Sequence, residues 1–126
     1  MFIGTYTDPS GSQGIYSAQL NTETGEISAL NLAAIADNPS FVALHPSGNF
    51  LYAVLETDVG AASSYKVLED NTLEYLNTIS GLGNAAAHLS VDLLGLNLFT
   101  VSYNGATLNS MPIKSDGSLE KPTFTF

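Results

Sequence analysis

One histidine and one glutamate are the side chains in this sequence whose types and positions could best support catalysis. His88 is the foremost candidate, because imidazole titrates near neutral pH and can act as a general base that activates water. Glu56 is a second candidate base, and its carboxylate could instead orient a ligand hydroxyl. The competing interpretations are a structural histidine bonded to a backbone carbonyl and a solvated glutamate at a strand end.

A third polar position, His45, lies in the turn sequence His-Pro-Ser-Gly. A polar side chain in such a turn can bond the N–H groups of the turn and hold the hairpin. We give Asp92 the same structural interpretation. Neither residue is therefore a candidate for catalysis.

No motif for another established chemistry occurs in the sequence. The chain has no cysteine, which excludes disulfides, thiolate metal ligands and a cysteine nucleophile. A glycine-rich phosphate loop, a metal-spaced histidine cluster and a nucleophile elbow are also missing. The two histidines support a metal site poorly, so we expect no cofactor and no metal.

The charge balance excludes two classes of partner. Twelve acidic residues face three lysines and no arginine, which gives a net charge of −9. Binding to nucleic acid or to an anionic membrane surface requires cations, so neither partner is expected. No apolar run approaches the roughly 18 residues of a membrane span, and no signal peptide is visible. The expected location is cytoplasmic, or periplasmic if a signal peptide precedes this numbering.

Short apolar stretches rich in β-branched and aromatic residues alternate with turn signals along the whole chain. No apolar stripe of helical period persists, so the pattern predicts an all-β fold. Turns are predicted at residues 8–11, 24–25, 46–49, 70–71 and 116–117, where Asn, Asp, Gly and Pro cluster. The predicted strands span residues 2–7, 14–20, 27–35, 40–44, 50–56, 61–68, 73–80, 87–91, 97–103, 107–113 and 119–126.

An internal repeat groups these strands into units. Residues 41–54 align without a gap with residues 88–101 at an offset of 47, and Gly48 then matches Gly95. The N-terminal stretch 2–7 matches the second strand of the same unit. The unit is four antiparallel strands in about 47 residues, which is the size of one propeller blade.

The segments FIGTYT, NPSFVALHPSGNFLYAV, HLSVD and MPIKSDGSLEKP resemble the N-terminal part of the seven-bladed lactonase propellers. That family includes bacterial 6-phosphogluconolactonases and fungal carboxymuconate-lactonizing enzymes. The resemblance covers essentially the whole chain, which corresponds to the N-terminal third of a family member.

The resemblance implies a partial β-propeller of about two and a half blades. Residues 2–35 form an incomplete blade that lacks its innermost strand, and residues 38–80 and 84–126 form two complete blades. Family members complete the first blade with a strand from the far C-terminus. An open arc leaves apolar faces and strand edges uncovered, so we expect self-association or association with complementary blades.

The resemblance also implies where a site would lie. His88 opens the innermost strand of the third unit and would point into the central channel. Glu56, Tyr103 and Asn104 lie at the ends of second strands on the channel-mouth side, where Tyr103 and Asn104 could bind substrate. Packing between blades is the competing interpretation for Tyr103. The histidine, arginine and glutamate credited with catalysis in the family lie in later blades.

Two functions remain open from the sequence. In a complete ring the chain would take part in hydrolysis of a small-molecule lactone such as 6-phosphogluconolactone. The alternative is a non-catalytic fragment that acts as an assembly or binding module. Because the chain has no arginine to hold a phosphate, we expect it to be inactive alone. Leu93, Leu94 and Leu96, in a turn predicted to be exposed, form a candidate contact patch.

Overall fold

The computed structural model describes residues 1–7 and 11–126, and these residues form eleven β-strands and no helix. Residues 8–10 of the predicted turn at 8–11 lie outside the described residues. No helix in the described part is long and apolar enough to cross a membrane. The strands are β1 Phe2–Ile3, β2 Gly14–Ser17, β3 Asn31–Ile35, β4 Phe41–Leu44, β5 Phe50–Leu55, β6 Ala61–Val67, β7 Leu73–Ser80, β8 Ala86–Val91, β9 Asn97–Ser102, β10 Leu108–Pro112 and β11 Phe124–Thr125.

The strands form three antiparallel sheets that follow one another along the chain. The first sheet has the order β1-β2-β3, the second β4-β5-β6-β7 and the third β8-β9-β10-β11. The innermost strands of the second and third sheets, β4 and β8, lie next to each other. This arrangement confirms the all-β, partial propeller fold that the sequence predicts.

Nine of the eleven predicted strands are shorter in the structure, among them the first and the last. The strand predicted at 2–7 ends at Ile3, and Gly4 then lies so close to the carbonyl oxygen of Pro39 that no Cβ would fit. The strand predicted at 119–126 is reduced to a single bridge at Leu119 and the pair Phe124–Thr125. Pro122 lies between these two parts and has no N–H to donate to a ladder.

Two apolar clusters fill the spaces between the sheets. The cluster between the first and second sheets contains Ile15, Leu51, Ala53 and Tyr65. The cluster between the second and third sheets is larger, and its buried members are Tyr52, Val54, Ala62, Leu82, Ala86, Leu89, Leu98, Met111, Ile113 and Leu119. The second sheet is therefore covered on both faces.

We call the face that each sheet presents to the next one along the chain its forward face. Cross-strand partners share a face, so the forward face of the second sheet carries Phe41, Ala43, Tyr52, Val54, Ala62 and Ser64. The same register in the third sheet gives His88, Ser90, Phe99, Val101, Leu108 and Ser110. The two faces are equivalent by repeat, but only the first is covered by a sheet.

Matching left-handed turns precede the innermost strands of the second and third sheets. Asn38 has a φ of 45° and Ala85, its equivalent in the repeat, has a φ of 54°. The carbonyl of Asn38 accepts the N–H of Glu56 at 3.0 Å, and the carbonyl of Ala85 accepts the N–H of Tyr103 at 2.9 Å. We call these two bonded pairs, Asn38 with Glu56 and Ala85 with Tyr103, joints. The two joints use the same backbone geometry with different side chains.

Ala85 is strained by this turn, because the left-handed region costs an L-residue with a Cβ about 1 to 2 kcal/mol. We expect Ala85→Gly to raise the free energy of unfolding by about 1 kcal/mol, measured by urea denaturation. Ala87→Gly is the matched control inside β8 and should lower it by about 0.5 to 1 kcal/mol. Equal changes in the two variants would contradict the strain at position 85.

Candidate functional site

A polar cleft lies where the ends of β5 and β9 meet the turns before β4 and β8. Its volume is about 420 Å³. A larger depression of about 600 Å³ lies on the outer hairpin of the first sheet, at residues 19–28, away from the candidate bases. The residues that line the polar cleft are Tyr6, Asp37, Asn38, Glu56, Thr57, Asp58, Asn84, Ala85 and Asn104.

Glu56 is the candidate base that the structure places in this cleft. Its carboxylate is half-buried and accepts a hydrogen bond from the phenol of Tyr6 at 2.7 Å. This hydrogen bond is the main cause of a raised pKa of Tyr6, because it stabilises the protonated phenol. The contact joins the segment after β1 to the end of β5, so it links the first and second sheets.

Asn38 holds the floor of the cleft by bonding the chain of the first sheet. Its side-chain oxygen accepts the N–H of Thr7 at 2.8 Å and the hydroxyl of Thr7 at 3.1 Å. Asn84, from the next joint, donates its side-chain amide to the carbonyl of Asp58 at 2.9 Å. The first two bonds tie the segment after β1 to the turn before β4, and the third ties the turn before β8 to the segment after β5.

The lining of the cleft is acidic and contains no cation. Asp37, Glu56 and Asp58 contribute carboxylates, beside three asparagine side chains. The three lysines lie elsewhere, in β6, in the turn after β10 and before β11. Such a lining can accept hydrogen bonds from hydroxyl groups and can deprotonate water, but it provides no clamp for a phosphate or carboxylate.

His88 is absent from the lining of this cleft. It lies in β8 on the forward face of the third sheet, opposite Val101 of β9, and its side chain is exposed. The imidazole packs on the ring of Phe41 with 4.4 Å between centroids. Within residues 1–7 and 11–126 the imidazole has no hydrogen bond, and the alternative of a carbonyl-bonded histidine stays a prediction. Its catalytic role stays a prediction.

Tyr103 and Asn104, predicted together as substrate-binding residues, are separated by the structure. Asn104 lines the cleft. The side chain of Tyr103 is 84% exposed and is absent from the lining, and its interpretation as a residue packed between blades stays a prediction. The backbone N–H of Tyr103 bonds Ala85 at the joint, and the chain then turns away from the sheet. Substrate binding by either residue stays a prediction.

His45 and Asp92 hold equivalent hairpin turns, as the sequence predicts. The Nδ1 atom of His45 accepts the N–H of Ser47 at 3.0 Å, so Nε2 carries the proton and donates to the carbonyl of Gly95 at 3.0 Å. Asp92 accepts the N–H groups of Leu96 and Asn97, and these bonds lower the pKa of its carboxyl group. The three leucines of the second hairpin, Leu93, Leu94 and Leu96, are exposed, with Leu93 at 95%.

Sequence reasoning missed five polar members of the cleft. Tyr6, Asp37, Asn38, Asp58 and Asn84 line it beside Glu56 and Asn104. The internal repeat could have indicated some of these residues, because residue 37 aligns with residue 84, and residue 56 with residue 103, at the offset of 47. No cluster of three or more His, Cys, Asp or Glu that could hold a metal ion is found among the described residues.

Comparisons with known proteins agree with this architecture along its whole length. A family model described as "Lactonase, 7-bladed beta-propeller" matches residues 1–126. The chain is 34% identical over 123 residues to a 6-phosphogluconolactonase of Bacillus subtilis, with 96% of this chain and 35% of the relative covered. It is 30% identical to a 6-phosphogluconolactonase of Formosa agariphila, with 100% of this chain and 37% of the relative covered.

A solved structure gives the same result in three dimensions. The periplasmic gluconolactonase of Pseudomonas aeruginosa superposes with a TM-score of 0.90 at 25% identity. The superposition covers 99% of this chain and 37% of that one. The chain therefore spans about a third of the length of the proteins that it matches.

Proposed function

Since the chain belongs to the seven-bladed β-propeller lactonase family, we propose that it contributes a general base and hydroxyl-binding groups to lactone hydrolysis in a complete ring. The observation that carries the proposal is the cleft in which Glu56 accepts a hydrogen bond from Tyr6 beside Asn104. The relatives named as 6-phosphogluconolactonases support a sugar-acid lactone as the substrate class.

The chemistry follows from the groups in the cleft. Glu56 takes a proton from a water molecule as the water oxygen attacks the lactone carbonyl and forms a tetrahedral intermediate. Collapse of this intermediate breaks the bond between the carbonyl carbon and the ring oxygen, and the proton held by Glu56 passes to that oxygen, which becomes the hydroxyl of the product acid. Tyr6 holds one carboxylate oxygen of Glu56, which leaves the other oxygen for the water. General-base assistance of this kind contributes roughly a hundred- to ten-thousandfold to the rate. The developing oxyanion and the acid group of the substrate need cations, which the cleft lacks and later blades would supply.

A chimera tests the proposal. We would join this chain to the part of the B. subtilis 6-phosphogluconolactonase that follows the matched third, and measure lactone hydrolysis above the spontaneous rate. The chimera should be active, and Glu56→Gln should lower its kcat by roughly a hundredfold. The chain alone should show no rate above the spontaneous reaction, because an open arc cannot exclude water or hold the substrate.

The controls separate catalysis from folding. Glu74→Gln removes an exposed carboxylate of β7 and should leave the rate of the chimera unchanged. His88→Ala tests the second candidate base in the same protein. A folded chimera whose kcat is insensitive to Glu56→Gln would overturn the role of Glu56, and a chain that is active alone would overturn the need for later blades.

One observation favours the second candidate function, a non-catalytic assembly module. The lining of the cleft contains no lysine or arginine that could hold the acid group of a substrate. His88, the other candidate base, lies outside the cleft and packs on Phe41. A folded chimera without activity would support this alternative.

The cytoplasmic location expected from the sequence stays a prediction, and the periplasmic relative keeps the second compartment open.

A further inference from the structure

A second cleft lies at the junction of the second and third sheets, at the ends of the strands opposite to the polar cleft. Residues 45, 50, 94–96 and 113–115 line it, and its volume is about 260 Å³. We call it the apolar cleft. We infer that the apolar cleft binds a small carboxylate with an aliphatic body, of the size of hexanoate. The inference requires no catalytic role for Glu56 and does not rest on the proposed function.

One wall of the apolar cleft is aromatic and comes from the second unit. The rings of His45 and Phe50 meet edge to face with 5.7 Å between centroids. The imidazole lies so close to Gly95 that no Cβ would fit there, and its Nε2 donates to the carbonyl of Gly95 at 3.0 Å. The ring of Phe50 lies equally close to Gly117. This wall is therefore fixed before a ligand binds, which lowers the entropic cost of binding.

The other wall is aliphatic and comes from the third unit. Ile113 is 9% exposed and donates its backbone N–H to the carbonyl of Leu96 at 2.9 Å, which holds the turn at 92–96 beside it. Leu94 and Leu96 are 77% and 56% exposed. Because these side chains are accessible to solvent, an aliphatic ligand that covers them gains free energy by burying apolar surface.

The internal repeat shows that the turn does not require these leucines. Their equivalents in the second unit are the polar residues Ser47 and Asn49. The two turns have the same backbone geometry, with a φ of 76° at Gly48 and of 73° at Gly95. Exposed apolar residues at positions where polar residues suffice indicate a contact made outside the turn.

The exposure of this turn does not depend on the sheets that adjoin it. Ser47 and Asn49 stay exposed although the third sheet packs on the second. By the repeat, a further sheet after the third one would leave Leu94 and Leu96 exposed in the same way. The lining residues of the apolar cleft all belong to the second and third units, so the described chain forms both of its walls.

The rim of the apolar cleft is positively charged. Lys114 and Ser115 line it, and none of the described lining residues is acidic. An ammonium group and a hydroxyl group can both donate to a carboxylate. The carboxylate of Asp116, on the same turn, accepts the hydroxyl of Ser118 at 2.7 Å and does not line the cleft. An anionic head group is therefore complementary to this rim, in contrast to the polar cleft with its carboxylates.

The size of the apolar cleft limits the ligand. A water molecule occupies about 30 Å³ in the liquid, so 260 Å³ has room for roughly eight or nine non-hydrogen atoms. A six-carbon carboxylate such as hexanoate has this size. Because the ligand has so few atoms and the rim is open to solvent, we expect a dissociation constant on the order of 1 mM.

Titration of the isotope-labelled chain with hexanoate, followed by NMR of the backbone amides, tests the site. Saturable shifts should centre on residues 94–96 and 113–115. The double variant Leu94→Ser, Leu96→Asn carries the residues of the second unit and should raise the dissociation constant roughly tenfold, because two aliphatic side chains leave the lining. Lys114→Gln should raise it roughly threefold, as expected when a solvent-exposed ion pair is lost.

Hexanol separates the contribution of the carboxylate from that of the aliphatic body. The alcohol should bind the parent chain roughly threefold more weakly than hexanoate does. In Lys114→Gln the two ligands should bind equally, because the charge that distinguishes them is gone. Equal affinities for the parent chain would overturn the assignment of a carboxylate.

Two variants outside the lining serve as controls. Leu93→Ser removes a leucine of the same turn that is 95% exposed, and Lys66→Gln removes an exposed lysine of β6, so neither should change the dissociation constant. The chimera with the B. subtilis 6-phosphogluconolactonase should bind hexanoate at the same residues, because it contains both walls. The proposal would be overturned by no saturable shift up to roughly ten times the expected constant, by equal effects of Leu93→Ser and the double variant, or by loss of binding in the chimera.

Discussion

Replacing Gly60 by alanine should lower the free energy of unfolding by roughly 2 to 5 kcal/mol. Gly60 has a φ of 60°, which costs a residue with a Cβ about 1 to 2 kcal/mol. A Cβ at this position would also collide with the carbonyl oxygen of Gly83 and crowd the Cβ of Ala86 at 3.1 Å. Relieving such overpacking costs typically 1 to 3 kcal/mol. Urea denaturation of the chain at low concentration measures the sum.

Gly81 provides the matched control for this prediction. It has a φ of 82°, and nothing lies within 4 Å of a Cβ built there. Gly81→Ala should therefore cost only the conformational part, about 1 to 2 kcal/mol. The difference between the stability losses of Gly60→Ala and Gly81→Ala measures the cost of adding a Cβ where the second sheet closely approaches the segment leading to β8. Equal losses in both variants would show that this approach adds nothing to stability.

Removing the hydroxyl of Tyr52 should change how stability depends on pH above pH 10. The phenol is fully buried in the cluster between the second and third sheets and donates to the carbonyl of Gly117 at 3.2 Å. Burial, aided by the charge of Asp116, raises the pKa of Tyr52 to about 12. An unfolded tyrosine titrates near pH 10, so deprotonation favours the unfolded chain between about pH 10 and pH 12.

The Tyr52→Phe variant isolates the part of the pH dependence of stability that is due to the phenol of Tyr52. The stability that the neutral phenol contributes is fully present below pH 10 and is lost as the pH rises through 12. The parent chain should lose on the order of 2 kcal/mol in this window through Tyr52, and Tyr52→Phe should not. At pH 7 the variant should be less stable by about 1 kcal/mol, because the bond to Gly117 is lost.

Denaturant unfolding at several pH values between 7 and 12 checks this prediction. The stability of the parent minus that of the variant should be constant up to pH 9, should fall from pH 10 upward, and should be negative at pH 12. Burial also raises the pKa of Tyr65, which both proteins retain, so its contribution cancels in the difference. A difference that stays constant to pH 12 would contradict the raised pKa of Tyr52.

Features that depend on sequence neighbours were predictable. The strand β7, Leu73–Ser80, has the predicted bounds, because turn residues bracket a single extended stretch. The roles of His45 and Asp92 in their turns followed from side chains that bond N–H groups within five residues. Because the repeat aligns residues 41–54 with residues 88–101, the strands predicted in one unit also indicated those of the next, and together they predicted whole sheets.

Features that depend on contacts between sheets were not predictable from the sequence. Tyr6 and Glu56 are fifty residues apart, and no local pattern indicates that one donates to the other. The same is true of Phe41 and His88, whose rings meet only because β4 and β8 are neighbours. The environment of Tyr103 was open in the sequence because a tyrosine after a strand is compatible both with packing and with a turn that leaves it exposed.

The joints before β4 and β8 have a consequence for how such a protein can evolve. The carbonyls at positions 38 and 85 and the N–H groups at positions 56 and 103 fix the geometry between strands, and every residue except proline can supply these backbone groups. Side chains at the joints can therefore differ between units at the cost that the left-handed turn imposes, as asparagine at one and the strained alanine at the other demonstrate. A catalytic side chain can be lost from one blade and gained in another while the scaffold persists.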